Sequence, residues 1–130
     1  MDTMSAEVDA VHAEASAVAD ARGTTRTFVD SLEPSVASEA ADAVVLVVSE
    51  LVTNALRHGG GTCTLDLTAH PDSIEVAVHD RSPRVPRPRT PDLTGRTGGF
   101  GWPMIKRLTR ATAVNRRAGG GKTVSALLAR

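Results

Sequence analysis

Aromatic residues are nearly absent: Phe28, Phe100 and Trp102 are the full set, and there is no tyrosine. A core without rings must be filled by valine, leucine and alanine. The single Cys63 excludes an internal disulfide, and neither a CxxC pair nor a His/Cys cluster at zinc spacing is present. His12, His58, His70 and His79 are too scattered to suggest a metal site by themselves. The longest apolar run, about Ala43 to Val48, is too short for a membrane span, and the acidic start MDTMSAEVDA is unlike a secretory leader. These absences lead us to expect a soluble, cytoplasmic protein with no membrane association. With 130 residues, one domain has room for a real core but not for a catalytic domain plus a sensor.

A net charge of zero conceals a division. Residues 1 to 80 carry 14 acidic and 3 basic side chains, whereas residues 81 to 130 carry 1 and 12. The cationic part lacks the aromatic platforms of single-strand binders and any helix-turn-helix or finger signature, so direct nucleic-acid binding is not expected. The same charge suits a triphosphate or an acidic protein partner.

The stretch from Ala43 to His58, AVVLVVSELVTNALRH, contains neither glycine nor proline and reads as a helix. It begins near Ser35 to Ser38 and stops at Gly59-Gly60-Gly61. Its first half is apolar nearly all round, which implies burial. One turn at a time, the line then becomes polar through Glu50, Asn54 and His58, with Arg57 beside them. Glu50 and Asn54 lie about 6 Å apart along the axis, near enough for a carboxylate and an amide to face one ligand. Alone, such a stripe is most simply a solvated helix face.

Upstream, residues 1 to 10 read as loosely ordered. Val11 to Ala13 could form a short strand, and Ser16 an N-cap for a helix to about Leu32, ended by Glu33-Pro34-Ser35. Downstream, Cys63, Leu65, Leu67 and Ala69 alternate with Thr62, Thr64, Asp66 and Thr68, and His70 to Ser73 is a turn. The returning strand, Ser73 to Asp80, puts Ile74, Val76, Val78 and the carboxylate of Asp80 on one face. An acid closing an apolar row needs donors, and no local partner is evident.

Residues 81 to about 99 hold four prolines and five arginines without periodicity, as a lid or binding loop would. Gly98-Gly99-Phe100-Gly101 then opens a helix from Trp102 to Arg110, offering backbone N–H groups to an anion. Ala111 to Arg116 and Lys122 to Leu128 read as strands, the last of ambiguous parity. Two phosphate motifs fail on inspection. Gly121-Lys122-Thr123 looks like the end of a P-loop, but Arg116 stands where its first glycine belongs. Gly99-Phe100-Gly101 looks like a dinucleotide fingerprint, but Met104 takes the place of the third glycine.

In order and spacing, the pieces resemble the GHKL family of ATP-binding domains, shared by histidine kinases, gyrase, Hsp90 and MutL. The N-box corresponds to Glu50 to His58, the G1 box to Asp80-Arg81-Ser82, the G2 box to Gly99-Phe100-Gly101 and the last glycine-threonine element to Gly121-Lys122-Thr123. The resemblance spans residues 11 to 130 and is strongest to the small stand-alone anti-sigma-factor serine/threonine kinases. It implies an α+β fold, a two-layer α/β sandwich with helices on one face of a mixed, mostly antiparallel sheet.

Carried over residue by residue, the resemblance makes Asn54 a ligand of the Mg²⁺ that bridges the phosphates of ATP. Asp80 becomes the acceptor for the adenine amino group, with Thr123 and Ser82 beside the base. Gly98, Gly99, Phe100 and Gly101 lie against the phosphates, and Arg57 and His58 sit near them. Glu50, one turn before the Mg²⁺ ligand, becomes the base that takes a proton from an attacking hydroxyl. The implied partners are a sigma factor and an anti-sigma-factor antagonist of the STAS type, and dimers are common in that branch. Ser82 replaces a usual glycine, and Trp102-Pro103 the usual aliphatic start of the G2 helix. The sequence leaves open both a kinase and a catalytically inactive, nucleotide-gated protein-binding module.

Overall fold

The computed structural model describes residues 2–10, 13–81 and 101–130. In chain order the elements are β1 (Asp2–Asp9), α1 (Glu14–Asp30), α2 (Ser38–His58), β2 (Thr62–Ala69), β3 (Ser73–Asp80), α3 (Gly101–Leu108), β4 (Ala111–Arg116) and β5 (Lys122–Ala129). The strands form one sheet in the order β1-β2-β3-β5-β4. Every pairing is antiparallel, so the mixed sheet implied above has no parallel pair among the described residues.

Period-two alternation gives the sheet one apolar face, and α2 covers it. Val8, Leu65, Leu67, Ile74, Val76, Val78, Val124, Ala126 and Leu128 form a single core with Val44, Val47, Val48, Leu51 and Val52 of α2. Without large rings, this core relies on β-branched side chains fitting the pleat and the helix ridges. α1 and α3 pack against α2, with Phe28, Val29 and Ile105 buried.

Several expectations need correction. Most of the segment expected to be loosely ordered, residues 1 to 10, is strand: Asp2–Asp9 pairs with β2 along its whole length, Val8 opposite Cys63 and Met4 opposite Leu67. Its acidic composition hides it because only Met4, Ala6 and Val8 face inward, while Glu7 and Asp9 are exposed on an edge strand that charge protects from further pairing. Backbone hydrogen bonds supply what apolar area does not. α1 begins at Glu14, ahead of Ser16, with Ala13 at the N-cap. Val11 and His12, and with them most of the short strand expected there, lie outside the described residues. α2 is also less enclosed than its apolar first half suggests, because Leu46, one turn before Glu50, is 39% exposed.

Parity in β5 resolves in favour of Lys122, Val124, Ala126 and Leu128 as the buried set. The neighbouring apolar pair Leu127 and Leu128 had made the sequence ambiguous. No described helix is long and apolar enough to cross a membrane. Truncating a buried residue on an inner strand should reveal how much the valine-rich core contributes. Leu67→Ala is expected to lower unfolding stability by about 2–5 kcal/mol in urea titration. A loss under about 1 kcal/mol would contradict the tight packing around β2.

Candidate functional site

Polar chemistry concentrates where α2 ends over the ends of β3 and β5. Asp80, the last residue of β3, is only 3% exposed, and Lys122, the first of β5, only 5%. The two are cross-strand partners, and the Lys122 ammonium donates to both carboxylate oxygens, at 2.9 Å to Oδ2 and 3.2 Å to Oδ1. The donor that could not be located locally therefore comes from 42 residues along the chain. Burying two opposite charges is costly, and removing either partner from such a pair typically costs about 3–5 kcal/mol.

Two glycines bring the backbone close enough to enclose this pair. Gly59 caps α2, and a Cβ there would stand 2.8 Å from both Cβ and Cγ of Asp80. Gly121 has a φ of +82°, and a Cβ on it would collide with the Asp80 carbonyl oxygen and the Arg81 Cα. One glycine thus admits the carboxylate under the helix, and the other lets the β4–β5 turn close on β3. Both positions forbid any larger side chain.

Cys63 feels the same charge from the neighbouring strand. Burial first, then the negative charges of Asp80 and Glu7, push its thiol up from 9.0 to about 12. The unfolded chain therefore releases this proton first as pH rises. The stability it contributes is intact below about 9 and is lost as pH climbs through the folded value near 12.

On α2, Glu50 and Asn54 stand half-buried upstream of Gly59, on the side that leaves Leu46 exposed. Arg57, expected near the phosphates, pairs with α1. Its Nε donates to Glu14 Oε1 at 2.7 Å, tying the end of α2 to the start of α1. His58 is exposed at the helix end. Gly101 opens α3, whose Trp102 packs on the core with Lys106 over its ring at 5.6 Å. Ser82, Gly98, Gly99 and Phe100 lie outside the described residues, as does the lid except for Arg81. An open concavity of about 520 Å³ lies at the β4–β5 turn, lined by Arg81, Arg117, Ala118, Gly119 and Gly120; Asp80 is not among its lining residues, and the charge of Arg117 reaches Asp66 on the outer sheet face.

Thr123 is not brought to Asp80. It follows Lys122 in the strand and so lies on the opposite sheet face, where its Oγ1 is 2.6 Å from His79 Nδ1. His79 Nε2 meets Asp66 Oδ2 at 2.7 Å, and Ser5 donates to Asp66 Oδ1 at 2.5 Å. Because an ionised carboxylate only accepts, Nε2 carries the proton facing Asp66. Burial raises the Asp66 carboxyl, but hydrogen bonds from Ser5 and His79 and the charges of His79 and Arg117 outweigh it, leaving it below its usual value. The residue on the carboxylate's own face is Lys122, which only the parity of β5 could have revealed.

Among the described residues no three His, Cys, Asp or Glu side chains gather as a metal cage. Asn54 offers a hard carboxamide oxygen that fits Mg²⁺, which keeps most of its waters and takes few protein ligands. A buried acceptor under a helix end, with two glycine close approaches beside it, fits a nucleotide base.

Residues 8–127 match the histidine kinase-like ATPase domain family. The crystal structure of the RsbU and RsbW domains of Rv1364c from Mycobacterium tuberculosis superposes with a TM-score of 0.70 at 18% identity, covering 100% of this chain and 33% of that one. The histidine kinase domain of a blue-light activated histidine kinase from Erythrobacter litoralis gives 0.50 at 19% identity, covering 93% and 63%. This chain thus spans about a third of the first and under two thirds of the second, and at these identities the likeness is one of fold. No curated protein matches the chain.

The buried thiol provides a direct test of this geometry. At pH 8 the folded protein should resist iodoacetamide at Cys63, and urea should make it react at the rate of a free thiol. Rapid labelling without denaturant would contradict a protonated, enclosed sulfur beside Asp80.

Proposed function

We infer that this chain, which belongs to the histidine kinase-like ATPase family, binds Mg-ATP between α2 and the ends of β3 and β5 and uses it as a protein serine/threonine kinase. The observation that carries the reading is Asp80, a carboxylate buried under the end of α2 with glycine on two sides. A nucleotide base is a ligand that needs such an acceptor in an otherwise apolar floor. Asp80 accepts from the adenine amino group, and Asn54 would hold Mg²⁺. The metal supplies charge neutralisation to the phosphates when bound.

Glu50, one turn from Asn54, takes the proton from the attacking serine or threonine hydroxyl. The oxygen then bonds to the γ-phosphorus as the bond to the β-phosphate oxygen breaks, releasing ADP. The intended acceptor is an anti-sigma-factor antagonist of the STAS type, and the other partner is a sigma factor. The fold shared with the RsbW-containing structure supports this reading. Arg57 is bound to Glu14, Thr123 lies on the opposite sheet face, and neither is needed in it.

Calorimetry with Mg-ATP followed by transfer of labelled phosphate to a cognate antagonist separates binding from catalysis. Wild type should bind and transfer, Asp80→Asn should lose binding, and Glu50→Ala should bind while transfer falls by about 10²–10⁴. Undiminished transfer by Glu50→Ala would remove the assigned base. ATP binding with no transfer to any partner would leave a nucleotide-gated binding module instead.

A further inference from the structure

We propose that Lys122 relaxes base selectivity, so that the site accepts 6-oxopurine nucleotides such as GTP alongside ATP. This rests on the reading of Asp80 as the base-binding acid. An ionised carboxylate is an acceptor only, and an ammonium is a donor only. Asp80 alone would welcome the 6-amino group of adenine and repel the 6-oxo group of guanine. Lys122 changes that arithmetic, because its Nζ lies 2.9 Å from Asp80 Oδ2 and both side chains are buried at the same place. A donor and an acceptor therefore stand side by side, buried together where α2 ends over β3 and β5.

The edge of a purine offers the complementary pair in either order. Adenine has an amino donor at position 6 beside the N1 acceptor, and guanine has an oxo acceptor at position 6 beside the N1–H donor. Adenine is satisfied with its amino group on Asp80 and N1 on Lys122. Guanine is satisfied with O6 on Lys122 and N1–H on Asp80. Neither orientation leaves a buried polar atom facing one of like kind, which is the ordinary source of strong discrimination at hydrogen-bonding sites.

Backbone packing keeps Lys122 in this position. Asp80 and Lys122 are register partners of the β3–β5 ladder, and Gly121 abuts the Asp80 carbonyl, so β5 cannot slide to carry the ammonium away. Gly59 confines the carboxylate from the helix side. The donor is thus built in beside the acceptor, and where Asp80 receives a base, that base meets both groups.

Calorimetric titration of the full chain with Mg-ATP and Mg-GTP tests this. Wild type is expected to bind GTP within about 10-fold of ATP. Lys122→Thr should raise the GTP/ATP ratio of Kd values by about 10-fold or more, and Lys122→Arg, which retains a donor, should leave it near the wild-type ratio. ATP binding with GTP weaker by about 100-fold or more in wild type, or an unmoved ratio in Lys122→Thr, would overturn the inference and leave the ATP reading standing. Failure of both nucleotides to bind wild type would overturn the ATP reading together with this one. The wild-type comparison decides even if Lys122→Thr does not fold.

Discussion

A carboxylate is costly to bury in an apolar floor unless a donor is buried with it, and much of this protein's architecture follows from that constraint at Asp80. The donor is Lys122, reached only because β5 is inserted between β3 and β4 in antiparallel register. That register requires the β4–β5 turn to press on β3, hence the left-handed Gly121. It also requires α2 to end without a side chain over the acid, hence Gly59. Cys63 stays a thiol beside the same charge.

The two sheet faces divide the labour. Inward, a nearly ring-free core of valine and leucine holds α2 rigidly, and α2 in turn positions Glu50 and Asn54 above the sheet end. Outward, Ser5, Asp66, His79 and Thr123 join β1, β2, β3 and β5 through short polar side chains. These outer bonds set the strands that carry Asp80 and Lys122 without entering the site themselves. Exposed ion pairs such as Arg57 with Glu14 contribute little to stability by comparison.

Much of this was legible in the chain. α2 announced itself by an unbroken apolar period ending in three glycines, and β2 and β3 by strict alternation, because in both cases burial of one face dictates residue choice. Asp80 was legible for the same reason, as the polar residue on an apolar parity. β1 was not, since an edge strand is held by backbone bonds that leave no apolar signature. Lys122 was hidden because Leu127 and Leu128 blur the parity of β5, and because its partner is distant in sequence. The contact of Arg57 with Glu14 was hidden because helical spacing gives a direction but not the neighbouring helix.

The central claim is that the junction of α2, β3 and β5 is where the nucleotide base lies. Backbone amide chemical shifts of the ¹⁵N-labelled protein, followed as Mg-ATP is added, test it most directly. The account predicts saturable shifts at Gly59, Asp80, Gly121 and Lys122, with Asn54 moving alongside them. Shifts confined to the arginine-rich turn at Arg116 and Arg117, or none at all, would contradict it.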